Sequence, residues 1–348
     1  MTPTTAIVVT SIAAPNQVMR QLAAGVVARS SAFFVIGDVA SPADFHLDGC
    51  EFYDLFRQEQ TGLKTAALCP TRHYARKNIG YLLAAKAGAQ IIIETDDDNL
   101  PNSGFWGPRS RGQRVVCVRD TGWVNVYSYF ADTNVWPRGL PLDEIQSDSP
   151  AFDSLQMHEA DCPIQQGLAD GDPDVDAVYR LIFPMSVQFR HDRRLGLGPG
   201  AWCPFNSQNT TWWRDAYELM YLPSDCSFRM TDIWRSFIAQ RIAWANGWSI
   251  LFHEPTVLQI RNEHNLMRDF RDEIPGYLNN RRIAETLEGL NLASGVDAIG
   301  ENLRLCYESL IRIAILEARE LDLLEAWIED LATIRKSQRS PVQPIPKC

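Results

Sequence analysis

The chain has 348 residues, 45% of them hydrophobic and 22% charged, enough for one large globular domain or one domain with an appendage. Its formal net charge of −10, from 33 basic and 43 acidic residues, argues against a nucleic-acid binder, whose basic stripe would reverse that balance. The eight cysteines are scattered with no CxxC pair, which sets aside a zinc ribbon or thioredoxin-type site. With no secretory leader and no apolar run of about 20 residues, reduced thiols in a cytoplasmic protein without a membrane span are expected.

The segment Ala6-Ile7-Val8-Val9-Thr10-Ser11-Ile12 is rich in β-branched residues and reads as a buried parallel strand. A helix starts at Pro15-Asn16 and places Val18, Leu22, Ala23 and Val26 on one face. Ala32 to Asp38 is a second strand, ending in Gly37-Asp38; His73 to Ala87 is helical in pattern; Gln90 to Thr95 is a third buried strand. This alternation predicts an α/β fold with a doubly wound parallel sheet. Beyond Asn99 the composition shifts to Pro, Gly, Trp and Arg, with a strand at Val115–Val118, and Ser147 to Pro173 reads as loop. Short strands are predicted at Ala177–Leu181, Val187–Phe189 and Ala201–Phe205. Helices are predicted at Trp212–Met220 and Asp232–Asn246, and a strand at Ser249–Phe252. From Arg281 to Ile334 the pattern is almost wholly helical, and the tail from Ser340 is Pro-rich and expected to be disordered.

Asp96-Asp97-Asp98 directly follows the third strand and so lies at its carboxyl end, the edge where open α/β sheets bind ligands. Three adjacent carboxylates repel one another, and a bound cation relieves the repulsion. Mg²⁺ or Mn²⁺ needs only one or two protein carboxylates when substrate phosphates supply further oxygens. In an extended chain Asp96 and Asp98 face one side and Asp97 the other. Asp98 is then expected on the metal, and Asp96 on the ribose or on metal-bound water. A divalent ion there would neutralise the charge developing on a departing diphosphate, as nucleotide-sugar transfer requires.

Tyr74-Ala75-Arg76-Lys77-Asn78-Ile79-Gly80-Tyr81-Leu82, then Gly88-Ala89, then Glu94 to Asn99, resembles the STELLO-like glycosyltransferase family. The likeness continues through Val8–Ile12, Gly37-Asp38, Val124–Tyr127, Trp136–Leu142 and Arg261–Asn265, over about residues 6 to 270. A weaker one runs to the reversibly glycosylated polypeptides, which are UDP-arabinopyranose mutases. The resemblance implies a GT-A fold, a UDP-sugar donor and Mn²⁺ or Mg²⁺. On that footing residues 1–275 form the glycosyltransferase domain, 1–100 its nucleotide-binding half and 101–275 its acceptor and catalytic half. Residues 276–338 are a C-terminal helical region for packing or homo-oligomer contact, and 339–348 are the tail. Plant relatives carry a membrane anchor and sit in the Golgi. This sequence opens almost at its first strand, so a cytoplasmic enzyme acting in surface polysaccharide synthesis is the expectation.

Arg76 and Lys77, near the start of the helix leading to the triplet, suit a diphosphate or uridine. Thr10, Ser11 and Asp38 end the first two strands, a position that in a GT-A fold touches nucleobase and ribose. Trp136 and Arg138 lie in a stiff Pro-flanked loop, where an aromatic ring can stack on sugar or base and Arg can read phosphate. Asp232 is the candidate base for an acceptor hydroxyl, although an acid before an apolar helix is also an ordinary N-cap. Family resemblance further suggests a late histidine as metal ligand, His253 by chain order, with His264 as competitor. The leading function is UDP-sugar transfer to a glycan or other hydroxyl acceptor. The alternatives are a UDP-sugar mutase and a non-catalytic nucleotide-sugar-binding scaffold.

Overall fold

A computed structural model describes residues 4–183, 186–260 and 265–339, so the tail beyond Arg339 and the candidate ligand His264 lie outside the described residues. Apolar runs in the first third fold as parallel strands β1 (Thr5–Thr10), β2 (Ala32–Ile36), β3 (Glu51–Tyr53) and β4 (Ile91–Thr95), in the spatial order β3-β2-β1-β4. Helix α1 (Gln17–Val27), N-capped by Asn16, buries Val18, Met19, Leu22 and Val26 against one face of these strands. After the short helices α2 (Leu55–Glu59) and α3 (Lys64–Leu68), α4 (Lys77–Lys86) buries Ile79, Leu82 and Leu83 against the other face. This quarter of the chain is doubly wound, as its periodicity predicts.

The rest of the sheet departs from that expectation. The later strands are β5 (Asn99–Pro101), β6 (Gly112–Val118), β7 (Gly122–Trp123), β8 (Gln156–Asp161) and β9 (Ile164–Gly171). They continue as β10 (Arg194–Leu197), β11 (Ala201–Trp202), β12 (Asn209–Trp213) and β13 (Ile250–Gln259). They extend the sheet to the order β3-β2-β1-β4-β12-β9-β13-β10-β6-β8, with β5 on β13, while β7 and β11 form a separate ribbon. β12 runs antiparallel to both β4 and β9, and β13 runs parallel to β9 but antiparallel to β10. The sheet is therefore mixed. Only its first four strands are uniformly parallel.

Several segments also change type. The span predicted as loop holds β8 and the wholly buried central strand β9. Its Gln165 and Gln166 hide the strand signal but are satisfied across the sheet. Gln165 Nε2 donates to the carbonyls of Ser110 and Cys162, and Gln166 Oε1 accepts from Asn206 N and Thr210 Oγ1. Ala177–Leu181, predicted as a strand, belongs to helix α5 (Ala177–Ile182), begun by Asp176, whose carboxylate accepts from Tyr179 N. Trp212 and Trp213 end β12, and a 3₁₀ turn, not an α-helix, follows over Arg214–Met220. Val187 makes a single bridge to Gly171.

Helix α6 (Thr231–Ala245) matches the pattern, and α7 (Leu266–Glu288), α8 (Ile299–Arg312) and α9 (Glu320–Arg339) follow. α7 runs without a break through the boundary expected at residue 275. The last helices share the main core: Trp327 is fully buried, donating its indole N–H to Glu218 O, and the Asp330 carboxylate accepts from the backbone N–H groups of Lys64 and Thr65. One charged pair lies deep in that core. Glu94 of β4 takes a two-pronged bond from Arg235 of α6 (2.8 Å twice), one from Trp212 Nε1 (2.8 Å), and a short one from the Tyr81 hydroxyl.

Candidate functional site

The chain leaves β4 at Asp96 and turns at once into β5 through Asp97 and Asp98. The triplet is thus a turn, not an extended segment. All three carboxylates line one cavity of about 450 Å³, together with Thr10 and Ser11 from the end of β1 and Asp38 just past β2. Across it stand Arg138, Asp174, Ser207, Arg229 and Asp232, and Phe228 at the rim.

Each acid of the triplet has a different anchor. Asp96 Oδ1 accepts from the Lys77 ammonium (2.8 Å) and the Tyr74 hydroxyl (2.7 Å). Lys77 is fully buried, and its remaining hydrogen bonds go to Tyr74 Oη and the carbonyls of Thr95 and Ser207. Ser11 Oγ donates to Asp97 Oδ2 (2.5 Å), and Asn16 Nδ2 holds the Asp97 carbonyl. Burial pushes the Asp97 carboxyl above its ordinary value, with Ser11 pulling the other way. Gln259 Nε2, at the end of β13, donates to Asp98 Oδ2 (3.1 Å).

The opposite wall is a closed ion network. Arg138 forks onto Asp174 (2.8 and 2.7 Å) and onto Asp232 (3.0 Å twice), and donates to the Arg229 carbonyl. Arg229 in turn pairs with Glu273 of α7 (2.8 Å). Asp232 Oδ2 also accepts from Ser207 N and Oγ, both 3.1 Å. Burial alone would raise the Asp232 carboxyl, but the Arg138 guanidinium more than offsets it and holds the group below the usual carboxylate range. The two walls touch through Tyr74, whose hydroxyl lies 2.6 Å from Ser207 Oγ.

A family model described as STELLO glycosyltransferases matches residues 229–341. Two curated Arabidopsis thaliana proteins align over much more of the chain. "Probable glycosyltransferase STELLO2" is 27% identical over 329 residues, covering 87% of this chain and 42% of that protein. "Probable glycosyltransferase STELLO1" is 29% identical over 240 residues, covering 64% of this chain and 31% of that protein. Over these stretches the chain is similar to the STELLO glycosyltransferases. It spans under half the length of either relative. A solved structure titled "Crystal Structure of a Mycobacterial Protein" covers 80% of this chain and 74% of its own, at 10% identity and a TM-score of 0.40, too slight a likeness to fix a shared fold.

From the sequence candidates the cavity gathers Thr10, Ser11, Asp38, Arg76, Asp96, Asp97, Asp98, Arg138 and Asp232. Lys77 is not in the lining and reaches the cavity through Asp96, Tyr74 and Ser207. Arg76 is buried, with its N–H groups spent on Gln58 Oε1 and on the carbonyls of Cys69 and Pro70, so it clasps a loop. Trp136 lies outside the lining: its indole N–H donates to Asp176 Oδ2 (2.6 Å) and its ring packs on Tyr179 and Phe183. His253 is also remote. It sits on β13 opposite Arg194 and Gly167, six residues before Gln259, which at about 3.3 Å per residue puts it roughly 20 Å from Asp98. Its Nδ1 lies 2.9 Å from the Glu254 carbonyl, and burial lowers its pKa to about 4. Among the described residues no helix is long and apolar enough to cross a membrane.

Sequence reasoning missed Tyr74, Ser207, Asp174 and Phe228 as parts of the site. Ser207 had a signal. Asn206-Ser207-Gln208-Asn209-Thr210-Thr211 is a polar run just before two tryptophans, and its burial demands partners. Asp174 had none, since Gly171-Asp172-Pro173-Asp174 reads as turn.

Proposed function

We propose that this chain is a glycosyltransferase that moves a sugar from a UDP-sugar to a hydroxyl acceptor such as a glycan, in a GT-A arrangement with Mn²⁺ or Mg²⁺ at the triplet. The observation that carries the reading is the convergence of three carboxylates, the β1 end and the β2 end on one cavity at the carboxyl edge of parallel strands. Similarity to two probable glycosyltransferases, and to the STELLO family model over residues 229–341, supports it independently.

Among the described residues no three acids or histidines are grouped to hold a metal by themselves, so a hard cation here would take Asp96 and Asp98 and draw its other oxygens from the diphosphate. Asp96 and Asp98 offer carboxylate oxygens to the cavity, and Asp96 is engaged through Oδ1, with no hydrogen bond to Oδ2 among the described residues. Bound there, such an ion supplies Lewis-acid neutralisation of the departing diphosphate. Lys77 and Tyr74 fix the Asp96 rotamer, Ser11 fixes Asp97, and Gln259 fixes Asp98, so the acids are oriented before a ligand arrives. Asp38, whose carboxylate accepts from the N–H groups of Val39 and His73, lies where ribose or base would sit. Phe228, 56% exposed and edge-on to Tyr74 at 5.5 Å, offers a ring face at the rim for a sugar or base.

Calorimetry of UDP binding with and without Mn²⁺ tests the reading: a cation-dependent gain in affinity is expected, and its loss in Asp98→Ala. Equal affinity in both conditions would remove the triplet from the mechanism. A second reading, a UDP-sugar mutase, is favoured by one detail. Both oxygens of Asp232 are already held by Arg138 and Ser207, which suits a reaction that needs no base for an acceptor. Product analysis with donor and metal alone separates the two.

A further inference from the structure

We propose that Arg72 grips a phosphate of the nucleotide donor, an inference that rests on the donor reading above. The cavity lining is rich in carboxylates, so a diphosphate needs a cation from the protein besides any divalent ion. Most of the cations at hand are spent. Arg138 is shared between Asp174 and Asp232, Arg229 is paired with Glu273, Lys77 holds Asp96, and Arg76 clasps Gln58 and two carbonyls. Arg72 lines the same cavity, is exposed, and has no hydrogen bond or ion pair to any described residue.

Its backbone adds a second observation. Arg72 holds φ at 56°, a left-handed conformation that non-glycine residues seldom adopt. The loop around it is pinned on both sides. The Pro70 carbonyl accepts from Arg76, and His73 donates its backbone N–H to Asp38 Oδ2 while its Nδ1 accepts from Ala75 N. Such a conformation persists only where the surroundings impose it, and it is concentrated at ligand clamps. A guanidinium on a fixed loop, lining the triplet's cavity with no hydrogen bond to a described residue, matches a phosphate by its planar fork of donors.

The test measures UDP binding in Mn²⁺ by calorimetry, and uridine binding by ligand-observed NMR, for the wild-type chain, Arg72→Gln and Arg72→Gly. Glycine accepts the positive φ and so keeps the loop shape. Both variants are expected to lose about tenfold in UDP affinity and to bind uridine as the wild type does. UDP binding unchanged in both variants would overturn the contact alone. Equal losses for uridine and UDP would also overturn it, by making Arg72 a loop-shaping residue. A wild-type chain that binds no UDP in Mn²⁺ would overturn the donor reading, and this contact with it.

Discussion

Asp96, Asp97 and Asp98 on one side of the cavity and Asp174 and Asp232 on the other are the same kind of side chain in two different electrostatic states. The second pair shares one buried guanidinium, Arg138, which forks onto both acids, with Arg229 at 3.7 Å from Asp174. The triplet has one buried ammonium, Lys77, among three carboxylates, and the neutral groups of Ser11, Tyr74 and Gln259 also donate to it. The difference teaches that an acid lining a cavity is not thereby available to a ligand. A carboxylate forked by a buried guanidinium is spent on the wall, whereas on the reading proposed above the triplet is where a cation would bind.

The sharpest way to break this contrast is Arg138→Met. It leaves Asp174 and Asp232 buried without their cation and should cost about 3–5 kcal/mol in chemical denaturation; a loss under 1 kcal/mol would mean the wall is not held by this network. Asp98→Ala should do the opposite, leaving the denaturation midpoint nearly unchanged while lowering UDP affinity in Mn²⁺ about a hundredfold, or about 2.7 kcal/mol. Asp232→Asn sharpens the contrast further. As scaffold, it should lower stability by about 1–2 kcal/mol and leave turnover within a few-fold; a collapse of turnover with unchanged stability would make Asp232 the base after all. The smallest effect is a pH dependence far from the cavity. His253 is held neutral to about pH 4 in the fold, against an ordinary value of 6.5. The unfolded chain therefore binds the extra proton between those values, and stability falls as pH drops through that window. From pH 7 to 5.5 the loss is about 1 kcal/mol, and His253→Gln should flatten it in a urea titration at both pH values.

The parts legible in the sequence are those with local causes. Ile91-Ile92-Ile93 followed within three residues by an acidic triplet announces a buried strand and the turn of acids at its carboxyl end, which lines the cavity. The α1 face, the α6 start and the long C-terminal helices follow from apolar spacing in the same way. What stayed hidden is settled by distant partners. Arg138 reads as a ligand contact until Asp174 and Asp232, 36 and 94 residues further on, are seen to occupy it. β9 reads as loop until its glutamines find bonds on neighbouring strands. Trp136 reads as a stacking ring until Asp176 takes its N–H.

The Glu94–Arg235 fork beneath the cavity has a geometric consequence. Glu94 lies two residues before Asp96 on β4, and Arg235 lies one helical turn after Asp232 on α6. One buried pair therefore sets the spacing between the strand that ends in the triplet and the helix that begins at the opposite acid. It acts as a pivot pin.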